Sequence, residues 1–209
     1  MEYLPLILSV TLINLLAAMS PGPDFVMCVK NSVTYSRKIG IFTGIGIGLG
    51  LSIHITYCMA GVGLIISKSH FIFNIIKISG AIYLIYMGIK SFLAKRSKVN
   101  VEENQKIKNL SAWGAIKSGF LTNILNPKAT LFFLALFSMV IGPQVPGTVK
   151  IIISLIMILT AIIWFTIVAF LFSHSWVRTK FLRFEKAINA LFGGLLITLG
   201  IIAITRKMS

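Results

Sequence analysis

The chain contains few charged residues, and very few acids. Of its 209 residues only 12% are Asp, Glu, Lys or Arg and only five are acidic, whereas 56% are hydrophobic. Soluble domains typically carry about 25% charged residues. Together with a mean hydropathy of +0.92, this composition excludes an ordinary soluble domain and predicts an all-α, polytopic membrane protein.

Cysteine and histidine are also scarce. Cys28 and Cys58 both lie in apolar segments, and the three histidines are scattered. Two thiols without histidines at ligand spacing make neither a disulfide framework nor a zinc site, which favours core packing for both. A nucleophile with its base, or a metal-bound water, cannot be assembled from these residues. We therefore expect no catalytic residue, no metal site and no cofactor.

Basic residues dominate the charge, which is +15 overall. In a soluble protein this would suggest nucleic-acid binding, but here the bases cluster in short loops between apolar runs and indicate topology instead. On alternate sides of six spans, fourteen Lys and Arg residues fall on one side and five on the other. By the positive-inside rule, both termini are expected to face outward.

Six apolar stretches are long enough to cross a bilayer core, which needs roughly 20 residues of helix. They are about Tyr3 to Val33, Gly40 to Ile66, Phe71 to Leu93, Ala112 to Ile141, Val149 to Phe172, and Ala187 to Ile204. A polar segment divides them into two halves: 1–95 as a first three-helix repeat, 96–111 as a cytoplasmic linker, and 112–209 as a second repeat. Because three is odd, the halves must have opposite orientations, the inverted-repeat plan of many transporters.

The first span is interrupted by Ser20-Pro21-Gly22-Pro23-Asp24-Phe25. Proline has no N–H, so a straight helix would leave carbonyl groups unpaired, and the helix must open. The pattern predicts Ser20 as the N-cap of a second helix, with Pro21 at its first position and Asp24 near its first turn. Broken backbone at membrane depth is tolerated where it lines a cavity, so the break indicates a site.

The fourth span breaks in the same way, at Asn126-Pro127-Lys128. Asn126 is expected to cap a helix that begins at Pro127, which deprives the Asn123 carbonyl of its helical partner. Asp24 and Lys128 are the two charged residues placed deep in spans, and such residues are functional candidates. A cation at the second position of a helix opposes the dipole, so an anion is expected near Lys128. That anion could be Asp24, as an ion pair between the halves, or the carboxylate of a solute.

The second span carries glycines at 40, 44, 46, 48 and 50. Their spacing fits neither a dinucleotide fingerprint nor a P-loop. Gly40, Gly44 and Gly48 form a stripe that favours close helix packing and would permit a homodimer. His54, in the same helix, could either bond a neighbouring helix or take part in proton coupling. Trp164 is an exception among the tryptophans, because it lies away from the predicted ends of its span.

These motifs resemble the LysE/RhtB family of bacterial amino-acid exporters. The resemblance rests on the first break, the glycine-rich second span, Gly80-Ala81-Ile82-Tyr83-Leu84 in the third, and Asn123-Ile124-Leu125-Asn126-Pro127-Lys128 in the fourth. It implies a six-helix inner-membrane exporter of amino acids driven by the proton gradient. The family's signature residues fall on Ser20, Pro21, Gly22, Pro23, Asn126, Pro127 and Lys128.

The predicted function is secondary export of amino acids by alternating access. The residues expected to bind the solute are Ser20, Pro21, Gly22, Pro23, Asp24, Asn123, Asn126, Pro127 and Lys128, and the candidates for proton coupling are Asp24 and His54. Because Asp24 is the one deep acid, a neutral or small hydroxylated amino acid is favoured over a cationic one. Two alternatives remain: a divalent-metal exporter that uses Cys28, and a scaffold that binds partners through Lys95, Arg96 and Lys98.

Overall fold

The protein is described by a computed structural model that covers residues 2–68, 70–93, 109–139 and 145–205. Within these ranges the chain forms eight α-helices and no strand, which confirms the predicted all-α class. The helices are α1 (Leu4–Met19), α2 (Pro23–Thr34), α3 (Arg37–Lys68), α4 (His70–Phe92), α5 (Ala112–Ile124), α6 (Pro127–Met139), α7 (Gly147–Phe172) and α8 (Ser175–Thr205).

Two helices are long and apolar enough to cross a membrane alone, namely Arg37–Gly61 within α3 and Gly147–Phe172, which is α7. The pairs α1–α2 and α5–α6 each add a span if a bent pair counts as one. The described residues therefore hold two to four candidate spans. The apolar parts of α4 and α8 are shorter, Ile78–Phe92 and Lys186–Ile202, so the count of six stays a prediction.

At the first break, the second helix begins two residues later than the sequence suggests. α1 ends at Met19 with Ser20 as its C-cap, and α2 begins at Pro23 with the extended Gly22 as its N-cap. The predicted N-cap at Ser20 is therefore wrong. A residue that precedes proline is disfavoured in the helical region. Gly22 is held extended by Pro23, so the second helix cannot start at Pro21.

The second break follows the prediction. The Asn126 side chain accepts a hydrogen bond from the Lys128 backbone N–H at 3.0 Å, which confirms Asn126 as the N-cap and places Pro127 at the first helical position. Both helix pairs are bent by 59°. Pro23 thus corresponds to Pro127, and Asp24 and Lys128 are each the second residue of the helix after a break.

The glycines of α3 face three different helices. A Cβ on Gly44 or Gly48 would collide with side chains of α7, and one on Gly40 would collide with both α2 and α7. One on Gly46 or Gly50 would collide with α5. The predicted packing stripe is confirmed, and it is used inside the chain. It therefore offers no interface for a homodimer.

The pair α4–α8 also depends on a close glycine contact. A Cβ on Gly88 would lie 2.6 Å from the Gly193 carbonyl oxygen, and one on Gly193 would lie 2.7 Å from the Gly88 carbonyl oxygen. The two backbones therefore touch where the helices cross. The other extensive contacts join α3 to α5 and α3 to α7, which puts α3 at the centre of the molecule.

The predicted linker, 96–111, falls almost entirely outside the described residues, as do Lys95, Arg96 and Lys98. The described part resumes just before α5. There Ser111 caps the helix, because its hydroxyl accepts a hydrogen bond from the Gly114 N–H at 3.1 Å.

Candidate substrate site

The two breaks meet around one cavity of about 60 Å³. Its polar lining comes from both halves of the chain and consists of Asn14, Ser20, Gly22, Asp24, Asn123, Asn126 and Lys128. Aliphatic and aromatic side chains of α1, α2, α3, α6 and α7 line the rest. Non-helical backbone therefore lies where a cavity can cover it, as membrane depth requires.

Asp24 reaches from α2 to the break of the other half. Its Oδ2 atom accepts hydrogen bonds from the side-chain amides of Asn123 at 3.0 Å and Asn126 at 2.9 Å. Its Oδ1 atom is buried and, among the described residues, has no hydrogen-bond partner. A buried charged acceptor without a partner costs about 1–3 kcal/mol or more. Asp24 therefore keeps one acceptor atom without a donor, in a residue that lines the cavity.

Lys128 reaches in the opposite direction, from α6 to the first break. Its ammonium donates to the Ser20 carbonyl oxygen at 3.2 Å and lies 4.5 Å from the centre of the Phe192 ring. Gly22 leaves room for it, since a Cβ there would lie 3.4 Å from the ammonium nitrogen. Ser20 is the C-cap of α1, so the cation sits at the negative end of a helix, where the dipole stabilises it.

The ion pair predicted as one alternative would join Asp24 directly to Lys128. Within the described part of the chain, the Lys128 ammonium nitrogen does not lie within 4.0 Å of an Asp24 carboxylate oxygen. The amides of Asn123 and Asn126 hold Asp24, whereas a carbonyl and an aromatic ring hold Lys128. The two residues line one cavity without forming a direct ion pair.

His54 lies behind the cavity wall and is 1% exposed. Its Nε2 is 3.0 Å from the Asn123 carbonyl oxygen and its Nδ1 is 2.6 Å from the Tyr57 hydroxyl. A carbonyl oxygen can only accept, so Nε2 must carry the proton, and in the neutral ring Nδ1 then accepts from Tyr57. His54 thus binds the carbonyl that Pro127 deprives of its helical partner.

The predicted site residues divide into two groups. Ser20, Gly22, Asp24, Asn123, Asn126 and Lys128 line the cavity, while Pro21, Pro23 and Pro127 lie outside the lining and shape the breaks. His54 contacts the site only through Asn123. The binding role of all nine predicted residues stays a prediction, although the structure brings both motifs to one place.

Sequence reasoning missed three residues around the site. Asn14 lines the cavity from α1. Trp164, the exception to the aromatic belt, donates from its indole N–H to the Ala18 carbonyl oxygen at 3.1 Å, beside the first break. Phe192 lies under the Lys128 ammonium. Trp164 carried a signal, because a polar group far from the interface needs a partner.

The cysteines are buried in the core, as predicted, and both are free thiols. The Cys28 thiol points at carbonyl oxygens, with Sγ 3.4 Å from Phe165 O and 3.7 Å from Gly40 O. In the described ranges no group of three or more His, Cys, Asp or Glu residues could hold a metal ion.

Comparison with known proteins identifies the family. A model described as LysE type translocator matches residues 15–207. The chain is 33% identical to the threonine efflux protein of Escherichia coli (strain K12) over 199 residues, which cover 95% of this chain and 97% of that protein.

Two further relatives agree in coverage. The threonine efflux protein of Salmonella typhi is 32% identical over 95% of this chain and 97% of its own length. An uncharacterized membrane protein of Bacillus subtilis (strain 168), YrhP, is 31% identical over 87% of this chain and 90% of its own. No solved structure matches the chain. Both the family model and these full-length similarities show that the chain belongs to the LysE type translocator family.

Proposed function

We propose that this protein exports a neutral or small hydroxylated amino acid across the bacterial inner membrane by alternating access. The observation that carries the proposal is the exchange of charged side chains between the breaks: Asp24 reaches the second break and Lys128 the first, around one cavity. The relatives named threonine efflux proteins support an amino-acid solute.

The solute binds as a zwitterion. Its ammonium group donates to Asp24 Oδ1, the buried acceptor that has no protein partner in the described ranges. Its carboxylate lies at the Lys128 ammonium and the N-termini of α2 and α6, where backbone N–H groups and the helix dipoles favour an anion. Among the described residues, Asp24 is the one acid in the cavity lining. The α-ammonium group occupies it, so a second cationic group would lack a counter-charge there.

The two halves form an inverted repeat that rocks around the site. The two equal bends of 59° support this arrangement, as do the equivalent positions of Asp24 and Lys128 after their breaks. Corresponding helices also pair with each other, α3 with α7 and α4 with α8, as helices beside a pseudo-two-fold axis do. Rocking of one half against the other opens the cavity to alternate sides of the membrane.

Proton coupling is assigned to Asp24 rather than to His54. Asp24 lines the cavity, and its Oδ1 atom has no hydrogen-bond partner in the described ranges, so a proton or an ammonium group would satisfy the same atom. His54 uses both ring nitrogens in contacts with Asn123 and Tyr57. A proton and the solute therefore compete for one site, which is the basis of an antiport cycle.

In this arrangement the chain crosses the membrane six times with both termini outside, and a cytoplasmic linker joins repeats 1–95 and 112–209. The bias of Lys and Arg toward one side supports this orientation. A homodimer remains part of the prediction, but its interface would have to lie elsewhere than on the glycine stripe of α3, which packs against α7.

Counterflow in proteoliposomes tests the function. Purified protein is reconstituted with an unlabelled amino acid inside, and uptake of a labelled amino-acid panel and of one divalent metal is measured. We expect exchange of small neutral or hydroxylated amino acids. Lys128→Met should abolish it with membrane insertion intact, because the substrate carboxylate loses its cation.

The matched control is Lys117→Met, the same change at an exposed lysine of α5, which should leave exchange near the wild-type rate. Full exchange by Lys128→Met would remove the assigned role of that residue. Uptake of the metal without any amino acid would replace the proposal by the metal exporter. The orientation of the Cys28 thiol toward two carbonyl oxygens speaks against that alternative.

A further inference from the structure

Asn14 is a polar residue in the otherwise apolar middle of α1. It is 3% exposed and lines the cavity together with the residues of the two breaks. It precedes Ser20 by six residues, which places it about 9 Å from the break along the helix axis. Asn14 therefore lies at a different level of the cavity from the charged groups that hold the zwitterion.

The Asn14 amide keeps hydrogen-bonding capacity for a ligand. Its Nδ2 donates to the Met157 carbonyl oxygen on α7 at 3.1 Å, and this contact fixes the orientation of the amide. An asparagine amide can form about four hydrogen bonds, two as donor and two as acceptor. The second N–H and the Oδ1 atom can therefore meet a group that both donates and accepts, as a hydroxyl does.

The surroundings make this amide selective. The neighbouring wall at α3 and α7 is apolar and includes Ile47, Leu51 and Ala161. A cavity of about 60 Å³ has room for roughly four waters, or about 120 Å³ of liquid. A small amino acid fills that space, and a methyl group and a hydroxyl on one carbon would meet the apolar wall and the amide respectively.

We propose that Asn14 is a specificity-determining residue that hydrogen-bonds the side-chain hydroxyl of a small β-hydroxy amino acid. This inference rests on the proposed function, because it takes the zwitterion to be held at the two breaks. A site built to bond a substrate hydroxyl rejects the analogue that lacks it far more strongly than an apolar pocket rejects an added methyl group.

The test compares threonine with valine, which has nearly the same shape but no hydroxyl, in the counterflow assay. The wild type should exchange threonine at least roughly 10-fold better than valine. Asn14→Leu should bring this ratio close to one by losing threonine and gaining valine. The matched control is Asn31→Leu. Asn31 is also buried, at 4% exposure, and its amide bonds Thr43 and Ser118, but it lies outside the cavity lining.

The assay distinguishes failure of the proposed function from failure of the role assigned to Asn14. If the wild type exchanges no amino acid, the proposed function fails and this inference fails with it. If the wild type prefers threonine and Asn14→Leu keeps that ratio, or lowers both rates equally as Asn31→Leu should, Asn14 is only a structural link between α1 and α7. If Asn14→Leu does not insert into the membrane, Asn14→Gln provides the test. Its longer side chain should shift the preference from threonine to serine. An unchanged ratio of threonine to serine exchange overturns the inference.

Discussion

A lysine at the second position of a helix opposes the helix dipole. The Lys128 side chain reduces that cost by extending away from its own helix. Its ammonium reaches the Ser20 carbonyl at the end of α1, where unpaired carbonyl groups attract a cation. The sequence argument required an anion near Lys128 and considered only carboxylates. The negative end of the other broken helix meets part of that requirement, and the proposed solute carboxylate would meet the rest.

His54 gives a prediction at the residue scale. His54→Phe keeps an aromatic ring against Phe133, whose ring centre is 6.1 Å away, but removes the donor to the Asn123 carbonyl. We expect a loss of about 1 kcal/mol, which lowers the melting temperature in detergent by about 2–4 °C. Export driven by a proton gradient should persist. Tyr57→Phe, which removes only the hydroxyl, should shift the melting temperature less.

Two measurements on His54→Phe would contradict this assignment. If counterflow stays intact while proton-driven export is lost, His54 carries the coupling proton and Asp24 does not. If the melting temperature is unchanged, the contact with Asn123 adds nothing to stability. Because counterflow needs no net proton movement, the two assays separate a coupling role from a structural one.

The charged members of the site could be predicted from sequence, and their neutral partners could not. Asp24 and Lys128 stand out because charge is rare in apolar spans. Asn14, Trp164 and Phe192 belong to residue types that occur throughout membrane helices, and their roles depend on which helix approaches them. The hydrogen bond from Trp164 to Ala18 joins residues that are far apart in sequence, so the position of Trp164 signals that its N–H needs a partner but not which residue supplies it.

At the scale of elements, proline predicted that both helices break but not where the first resumes. The first motif has two prolines, so the second helix could begin at Pro21 or at Pro23. A residue before proline is disfavoured in the helical region, and this selects the later start, at Pro23. Gly22 is extended in the structure. The single proline at the second break leaves no such choice, and there the predicted start at Pro127 is correct.

The contact between α4 and α8 gives a prediction at this scale. Gly193→Ala should destabilise the protein by about 1–3 kcal/mol, because the added methyl group would lie 2.7 Å from the Gly88 carbonyl oxygen and overpack the crossing. Its neighbour is the matched control. A Cβ on Gly194 meets only Phe92, at 4.0 Å, so Gly194→Ala should be neutral or stabilise the helix by up to about 1 kcal/mol.

The melting temperatures of both variants are measured by thermal unfolding in detergent, with size-exclusion chromatography as the readout. Equal melting temperatures for Gly193→Ala and Gly194→Ala would mean that α4 and α8 do not approach closely at this crossing. Since this contact joins corresponding helices of the two halves, that result would also weaken the inverted-repeat proposal.

For the whole molecule, the inverted repeat depends on an odd number of spans per half. Whether that number is odd can be tested by labelling introduced cysteines from one side of the membrane. Cys28 and Cys58 are 0% exposed, so a cysteine introduced at an exposed loop position will be the one that a maleimide labels. Glu2, Ser36, Gly147 and His174 are exposed and lie at or near helix ends. With both termini outside, Glu2→Cys and Gly147→Cys should react with a membrane-impermeant maleimide on intact cells.

Ser36→Cys and His174→Cys should react only after the inner membrane is permeabilised. Three spans are predicted between Ser36 and Gly147, so these two positions must lie on opposite sides of the membrane. Four spans are predicted between Ser36 and His174, so those two positions must lie on the same side. Labelling of Ser36 and Gly147 from the same side would make the number of spans between them even. The two halves would then run in the same direction, and breaks that face each other across one cavity could not be related by a two-fold axis in the membrane plane.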